Sequence, residues 1–299
     1  MITVIGSVNM DLIATTERLP APGETVSGAE FTTAQGGKGA NQALAAQRAG
    51  AAVTMGGAVG DDAYGAEALA LLEKAGADLG SVRRVQGPTG IAIILVGGDG
   101  ENVIVVIAGA NGHVSVEDAE QAVASMSDSD TLLLQMEIAE ASIEAALKAA
   151  RSKGVRSVLN IAPLTEAVER LAPLADIVIA NETEFARLSG RPAETVDAAR
   201  AELAALHART GQCMIVTLGG DGVLWAKDGT VEHVAALKIR PVDTVGAGDT
   251  FCGYLAQGLD AGMAFPAAVR RAAVAGALAC LKPGAQPSIP LASEVDARL

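Results

Sequence analysis

Aromatic side chains are scarce in this 299-residue chain, at 2% of all residues. Proteins that hold single-stranded nucleic acid stack its bases on aromatic rings, so the composition disfavours that class. Basic residues are also in the minority, because 22 stand against 35 acidic ones and the formal net charge is −13. Nucleic acids and anionic membranes attract basic proteins instead. We therefore expect neither partner, although backbone N–H groups, one lysine and Mg²⁺ can hold a nucleotide on an acidic protein.

Cysteines are few and far apart, at positions 213, 252 and 280, and no C-x-x-C pattern occurs. This spacing favours reduced thiols and a reducing compartment. The three histidines are equally scattered, which disfavours a structural zinc site. Met1–Ile5 lacks the basic region of a signal peptide, and no apolar run reaches the ~20 residues of a membrane span. We expect a soluble, cytoplasmic protein.

Hydrophobic residues make up 50% of the chain and charged residues 19%, which is enough for a large core. Short apolar runs such as Ile2–Ile5, Ile177–Ala180 and Met214–Leu218 are followed by glycine or polar turns and then by helical patterns. Further strands are expected over residues 52–57, 131–137 and 233–239. Alternating strands and helices predict an α/β fold, with a mostly parallel sheet flanked by helices on both faces.

Polar residues repeatedly follow the predicted strands. In such a fold the carboxyl ends of the strands share one edge of the sheet, where ligands bind. Each of these residues taken alone is equally well explained as part of a turn. Their shared position nevertheless favours a site, and the residues are Asn9, Asp11, Glu137, Asn160, Asn181 and Thr217.

A glycine-rich segment, Gly36–Gln42, precedes an alanine-rich helical pattern. It is not a phosphate-binding P-loop, because the required spacing is absent and a glycine follows Lys38. A structural turn would explain the glycines, whereas Lys38 and Asn41 favour close approach of a hydroxyl-rich ligand.

A second segment, Asp243–Phe251, has glycines directly before another helical pattern. The first N–H groups of a helix lack intrahelical partners and attract anions, and glycine lets an anion come close. Asp249 would lie beside this anion hole, where it could accept a proton from an attacking hydroxyl. The alternative is that Asp249 is an ordinary residue of a helix N-terminus.

Residues 91–96 and 102–107 are apolar and flank the turn Gly97–Gly100, which predicts a β-hairpin. Both of its faces are apolar, so the core, a ligand or a second subunit must cover them.

The motifs fit three reaction classes unequally. The turn at Gly246 begins like a dinucleotide-binding loop, but Phe251 stands where the third glycine should be. A serine hydrolase would need a nucleophile elbow, G-x-S-x-G, which is missing. Phosphoryl transfer fits better, because it needs positioning, an anion hole, a metal and a base.

The segments Gly36–Gln42 and Asp243–Phe251 resemble the two signatures of the PfkB, or ribokinase-like, family of carbohydrate kinases. The resemblance runs essentially end to end, and the second signature is highly specific. Gly109–Asn111, Asn181–Glu184 and Gly284–Ser288 favour the ribose-phosphorylating branch of that family.

The resemblance implies a role for each matching residue. The catalytic group would be the base Asp249 and the anion hole Gly246, Ala247 and Gly248. The sugar would be held or covered by Asn9, Asp11, Gly36, Gly37, Lys38, Asn41, Ala92, Ile94, Val106, Glu137 and Asp249. The nucleotide, its phosphates and the waters of Mg²⁺ would meet Asn181, Glu184, Thr217, Leu218, Gly219, Gly220, Asp221, Gly222, Gly248 and Ala273. A monovalent cation such as K⁺ would be bound by Asp243, Val245, Ala279, Lys282, Gly284 and Ser288, mainly through backbone oxygens.

The resemblance also implies an ATP-dependent kinase that phosphorylates the 5-hydroxyl of D-ribose, in a single domain over residues 1–299. Lid strands would be inserted at about residues 8–34 and 88–110, and a homodimer would form through the lid. Deoxyribose, fructose or nucleoside kinases, and a non-catalytic sugar-binding protein, remain alternatives. Ala273 departs from the family, which often has Asn or His there, so a contact to adenine is in question.

Overall fold

The computed structural model describes residues 1–192 and 195–299. The strands are β1 (Ile2–Ile5), β2 (Asn9–Thr16), β3 (Gly28–Gly36), β4 (Val53–Gly60), β5 (Asp78–Val85), β6 (Gly90–Val96), β7 (Asn102–Ile107), β8 (Thr131–Leu134), β9 (Arg156–Asn160), β10 (Ile177–Asn181), β11 (Cys213–Thr217), β12 (Val223–Lys227) and β13 (Thr230–Val234). The helices are α1 (Lys38–Arg48), α2 (Ala63–Glu67), α3 (Ala70–Ala75), α4 (Val116–Ala124), α5 (Glu140–Lys153), α6 (Val168–Leu171), α7 (Glu182–Ser189), α8 (Val196–Thr210), α9 (Ala247–Asp260), α10 (Phe265–Ala279), α11 (Ala285–Ser288) and α12 (Ala292–Asp296).

The large sheet has nine strands in the order β13-β12-β11-β10-β9-β8-β1-β4-β5. Its strands from β11 to β5 are all parallel, and β12 and β13 continue it as antiparallel edge strands. The predicted mostly parallel α/β sheet is confirmed. Because the parallel strands all point the same way, the loops that follow β1, β8, β9, β10 and β11 lie along one edge.

Helices cover both faces of this sheet, and strand alternation divides the core between them. Leu133 packs into one hydrophobic cluster with α1, α9 and α10, while Leu132 and Leu134 pack into another with α4, α5 and α8. A central parallel strand therefore has apolar side chains on both of its faces, which explains the continuous hydrophobic runs in the sequence.

Helices α1 and α9 pack closely because small residues meet between them. A Cβ on Gly253 of α9 would lie 2.5 Å from the Cβ of Ala45 and 2.5 Å from the carbonyl oxygen of Gln42, both on α1. This close approach places the beginnings of both helices side by side, although the two glycine-rich segments are some 200 positions apart in the chain.

A second, four-stranded sheet has the order β3-β2-β6-β7. Strand β2 pairs antiparallel with β3 and parallel with β6, and β6 and β7 form the predicted hairpin. This small sheet is therefore mixed, and it connects directly to the large sheet because β2 follows β1 after three residues.

Some boundaries differ from the sequence-based expectations. The strand expected over residues 131–137 ends at Leu134, so Glu137 lies in the following turn instead of in the strand. Of the strand expected over residues 233–239, only residues 233 and 234 lie in a strand, at the end of β13. Glycines 56, 57 and 60 stay within β4, because β1 pairs with it as far as Gly56 and β5 pairs with it as far as Gly60. Within the described ranges, no helix is long and apolar enough to cross a bilayer.

Candidate active site

Asp249 lies in the first turn of α9 and is buried. Both of its carboxylate oxygens accept hydrogen bonds from amide side chains of α1. Asn41 Nδ2 donates to Oδ2 at 3.0 Å, and Gln42 Nε2 donates to Oδ1 at 2.9 Å. The two glycine-rich segments therefore meet at this carboxylate, and its orientation depends on the packing of α1 against α9.

The N-terminus of α9 provides the geometry of an anion hole. Gly246 caps the helix at φ 75°, a conformation that favours glycine, and Thr250 N–H bonds back to its carbonyl. The N–H groups of Gly248 and Asp249 have no backbone acceptor among the described residues. A Cβ on Gly248 would meet nothing within 4 Å, so open space lies beside these donors.

Asn9 and Asn111 form a buried amide pair next to this edge. Asn111 Nδ2 donates to Asn9 Oδ1 at 2.7 Å, and Asn111 Oδ1 accepts from the N–H of Val8 at 2.9 Å. A Cβ on Gly90 would lie within 2.3 Å of both amides, so the pair depends on this glycine. Because Asn9 Oδ1 accepts from Asn111, the orientation of the Asn9 amide is determined, and its Nδ2 is left to donate to a ligand.

Glu137 is held by Ser7 and by the start of α1. Ser7 Oγ donates to Glu137 Oε2 at 2.5 Å, and the N–H of Lys38 donates to the same oxygen at 3.1 Å. The Ser7 hydroxyl in turn accepts from the N–H of Gly39 at 3.2 Å. These bonds place the Glu137 carboxylate beside the Lys38 loop even though Glu137 is outside the strand.

Asp11 completes the acidic cluster on β2. A Cβ on Gly36, its neighbour on β3, would lie only 2.3–2.5 Å from the Asp11 carboxylate. Gly37 has φ 88° and lies against the backbone of Asn9, where a Cβ would come within 2.7 Å of the nitrogen. Gly36 therefore makes room for the Asp11 carboxylate and Gly37 for the backbone of Asn9, which explains why two adjacent glycines precede Lys38.

The charges of this cluster influence one another. Burial, followed by the charges of Glu137 and Asp249, raises the pKa of Asp11 to about 6. The pKa of Lys38 is raised, chiefly by the negative charge of Asp249. Burial raises the pKa of Glu184. The ammonium group of Lys38 is thus kept positive among carboxylates that repel each other.

The small sheet presents one of its faces toward this cluster. The register pairs Asp11 with Ala92, and Ala92 with Val106, so these side chains share a face. Ile94 lies on the same face, two residues further along β6. Ala92 is buried and Ile94 is half-buried, but Val106 is 52% exposed. The structure therefore brings the three expected covering residues to one face, with Val106 at its open end.

The residues expected to meet the nucleotide lie at the ends of β10 and β11. Asn181 and Thr217 are register partners on these two strands. Asn181 and Glu184 cap α7 reciprocally, since the N–H of Asn181 donates to Glu184 Oε2 at 2.9 Å and Asn181 Oδ1 accepts from the N–H of Glu184 at 2.8 Å.

The turn after β11 contains a short 3₁₀ helix, Gly219–Asp221, which follows the buried Leu218. Gly219 and Gly220 are exposed, and Gly222 has φ 99°, where a Cβ would lie 2.1 Å from the carbonyl oxygen of Val234. This turn leaves an exposed backbone beside Thr217. Ala273, the other residue expected near the nucleotide, lies on α10 and is half-buried.

The expected cation-binding residues lie on two loops that Asp243 connects. Asp243 Oδ1 accepts from the N–H of Val245 at 3.0 Å, and Oδ2 accepts from the N–H of Gly284 at 2.8 Å. A Cβ on Gly246 would lie 2.9 Å from the Cα of Ala285, so the anion-hole turn rests on the second loop. The remaining members of the set are in or next to this loop, and they are Ala279, Lys282 and Ser288.

Four side chains that support the site were not among the residues predicted to form it: Ser7, Gln42, Asn111 and Gln135. Gln42 and Asn111 lie within segments that carry the family resemblance, so their positions offered a signal. Ser7 and Gln135 offered none, because ordinary polar residues after strands also occur in turns.

Comparison with known proteins identifies a family. Residues 1–292 match the model of the pfkB family carbohydrate kinases. A ribokinase of Haemophilus influenzae is 36% identical over 294 residues, covering 98% of this chain and 96% of that protein. A deoxyribokinase of Salmonella typhi is 35% identical over 291 residues, covering 97% of this chain and 95% of that protein.

The fold also matches solved structures of this kind. The structure of an Arabidopsis thaliana ribokinase complexed with ribose and ATP superposes with a TM-score of 0.87 at 33% identity. The match covers 99% of this chain and 97% of the Arabidopsis chain. Both sheets of this protein therefore fall within a region of shared structure.

Replacing Asp11 by Asn tests whether burial and the neighbouring carboxylates make the ionised Asp11 side chain unfavourable in the folded protein. The folded-state pKa of about 6 exceeds the ordinary 3.8, so the ionised carboxylate favours the unfolded chain. This penalty is absent below the ordinary pKa, grows as pH rises toward 6 and is constant above it. We expect Asp11→Asn to raise the free energy of unfolding by about 2 kcal/mol at pH 8 and by almost nothing near pH 4.

Urea unfolding of wild type and variant across this pH range measures the difference. Asp128→Asn is the control, because Asp128 is exposed in the loop before β8. A stability difference that does not change with pH would contradict the assignment of the penalty to the Asp11 carboxylate.

Proposed function

The chain belongs to the pfkB family of carbohydrate kinases, and on that premise we propose that it transfers the γ-phosphoryl group of ATP to the 5-hydroxyl of D-ribose. The products are D-ribose 5-phosphate and ADP. One observation carries the proposal: a buried carboxylate, Asp249, lies beside unpartnered helix N–H groups and a cluster of polar side chains suited to a small polyol.

The sugar lies between the small sheet and the start of α1. Asn9 offers its amide nitrogen as a donor, whereas Asp11 and Glu137 offer carboxylate oxygens as acceptors. Asn41 donates to Asp249, but its buried Oδ1 has no partner among the described residues. A buried acceptor without a partner is costly, and a sugar hydroxyl satisfies it. Ala92, Ile94 and Val106 cover the apolar side of the ring.

Asp249 acts as the base that takes the proton of the attacking hydroxyl. The free N–H groups at the start of α9 stabilise the negative charge that develops on the transferred phosphoryl group. Because these donors belong to a helix terminus held by packing, they need no reorganisation during the reaction. Lys38 adds a positive charge close to Asp249.

ATP lies along the edge from α9 to β11, with its phosphates near Asn181 and Glu184 and its nucleoside along Thr217–Gly222. The exposed glycines of that turn allow the backbone to approach the nucleotide. Half-buried Ala273 on α10 offers a methyl group and no hydrogen bond to the base. We assign the recognition of adenine mainly to apolar contact.

The reaction would require Mg²⁺, bound chiefly to the phosphates of ATP. Among residues 1–192 and 195–299, no three His, Cys, Asp or Glu side chains are grouped to hold a metal by themselves. Mg²⁺ in kinases commonly uses one or two carboxylates together with phosphate oxygens and water. Glu184 fits this role, since only its Oε2 is used in capping α7. The bound ion would neutralise phosphate charge.

K⁺ binds between the two loops that Asp243 connects. Backbone carbonyls, a carboxylate and a hydroxyl are oxygen donors of the type that coordinates K⁺ in proteins. The set consists of Asp243, Val245, Ala279, Lys282, Gly284 and Ser288. The cation would order the loop that supports Gly246 and thereby the anion hole.

We also propose one domain over residues 1–299, with the small sheet as a lid formed from insertions at about residues 8–34 and 88–110. The lid sheet carries the dimer interface. All six residues of β7 are exposed, including Val103 at 52% and Val105 at 54%, and Phe31 on β3 is 65% exposed. An apolar strand of this kind calls for a partner, and a second copy supplies the same surface.

Deoxyribose, fructose and nucleosides remain alternative acceptors, and a deoxyribokinase is among the relatives. A panel of D-ribose, 2-deoxyribose, D-fructose and adenosine, with ADP release as the readout, separates these activities. We expect the highest kcat/KM with D-ribose. Preference for another member of the panel would replace ribose, and no ADP release with any acceptor would favour a non-catalytic sugar-binding protein.

Replacing Asp249 by Asn removes the base but keeps the size of the side chain. We expect kcat to fall by about 10²–10⁴-fold while sugar affinity largely survives. Steady-state rates and sugar binding by calorimetry measure the two effects. Asp260→Asn, at the other end of α9, is the matched control. Unchanged turnover would remove Asp249 from the role of base.

Light scattering tests the dimer. We expect a dimer at micromolar concentration, and dissociation after Val105→Glu, because a buried charge disfavours an apolar interface. Gln86→Glu adds the same charge at an exposed position before β6 and should leave the dimer intact. A wild-type monomer under these conditions would exclude the interface.

Potassium should raise both the rate and the thermal stability. Rates and melting temperatures measured in equimolar KCl, NaCl and tetramethylammonium chloride compare the cations at constant ionic strength. We expect the highest values of both quantities in KCl, because the bound ion joins the two loops. Equal values in all three salts would contradict a cation site.

A further inference from the structure

We propose that Gln42 is a positioning residue that determines the orientation and the proton affinity of the Asp249 carboxylate through a buried chain of amide side chains. The inference rests on the proposed role of Asp249 as the base. It concerns a side chain that touches neither sugar nor nucleotide in that proposal, and therefore acts only through Asp249.

Gln42 lies on α1 and is completely buried. Its Nε2 donates to Asp249 Oδ1 at 2.9 Å and to Asn160 Oδ1 at 3.1 Å, so both amide hydrogens are used. Its Oε1 accepts from Gln135 Nε2 at 2.8 Å. Gln42 has no hydrogen-bonding atom left for a ligand, whereas its neighbour Asn41 has an Oδ1 without a partner in the part of the chain that the structure describes.

The direction of the chain is determined at its Asn160 end. Asn160 Nδ2 donates to the backbone carbonyl of Ile179 at 3.3 Å, so its Oδ1 must face Gln42. Gln135 presents its nitrogen to Gln42 from the other side. If the amide of Gln42 were flipped, its oxygen would face the oxygens of Asn160 and Asp249. Asn160 and Asp249 therefore determine the orientation of Gln42, which aims an N–H group at the base, whereas Gln135 Oε1 has no partner among the described residues.

The surroundings explain why a neutral donor is useful here. The charged or titratable groups near Asp249 are Asp11 on β2, Lys38 on α1, Glu137 after β8, Glu184 on α7 and Cys252 on α9. Three of them are carboxylates whose negative charge repels that of Asp249, and Lys38 attracts it. Gln42 stabilises the ionised carboxylate without titrating itself.

Gln42→Met tests the inference, because methionine has similar length, fills the space and keeps helix propensity. Gln47→Met on the same helix is the matched control, since Gln47 bonds to the carbonyl of Ala75 at 3.1 Å and lies away from Asp249. We expect kcat with D-ribose to fall by about 10–100-fold in Gln42→Met, as one hydrogen bond to a charged group is lost. KM for the sugar should stay within about twofold.

The pH profile of kcat distinguishes positioning from a general structural role. Without the Gln42 donor, the acidic limb of the profile should move up by about one pH unit, while Gln47→Met keeps the wild-type limb. The kcat profile reports the enzyme–substrate complex, in which Asp11 is already engaged by the sugar. A Gln42→Met enzyme with a lowered melting temperature but an unmoved limb would overturn the inference.

A second variant covers the case in which Gln42→Met does not fold. Gln135→Met removes the donor to Gln42 Oε1 and should move the acidic limb in the same direction by a smaller amount. An unmoved limb in that variant would also overturn the inference. Failure of the proposed function is separate, because it would show as a wild-type enzyme without turnover on any acceptor in the panel.

Discussion

The structure concentrates negative charge at one place, and the cost of burying these charges, together with the repulsion among them, is the constraint on which the site depends. Asp11, Glu137, Glu184 and Asp249 all lie at or near the carboxyl edge of one sheet, on an already acidic protein. Such a cluster is stable only if N–H donors and a cation offset the repulsion. Lys38 is the cation, and backbone and amide N–H groups are the donors.

The start of α1 supplies much of this compensation. Its first residues provide the Lys38 ammonium, the backbone N–H that Glu137 accepts, and the two amide side chains that hold Asp249. The glycines before it leave room for Asp11 and for the backbone of Asn9. One short segment therefore contacts Asp11, Asn9, Glu137 and Asp249, which explains why it contains so many glycines and amide side chains.

Much of the fold followed from patterns in the sequence. Apolar runs between glycine turns predicted the parallel sheet, and the alternation of strands and helices predicted helices on both faces. The hairpin over residues 91–107 and the helix after Gly246 were also located correctly. Local patterns did not reveal that the strand before Glu137 ends at Leu134, because Gln135 and Met136 are apolar or uncharged and leave the boundary unmarked.

The sequence by itself determined which chemical groups are available, and it indicated where they lie along the chain: polar residues after strands and glycines before helices. Those features depend on neighbours within a few positions, where periodicity and backbone preferences act. Only the tertiary structure decided which groups meet. The contact of Gln42 with Asp249 joins residues 207 positions apart, and that of Asn111 with Asn9 joins residues 102 apart. Such pairings arise from close packing between α1 and α9 and between the two sheets. A carboxylate that local sequence could place only at a helix start is therefore buried, with both of its oxygens oriented by amide donors.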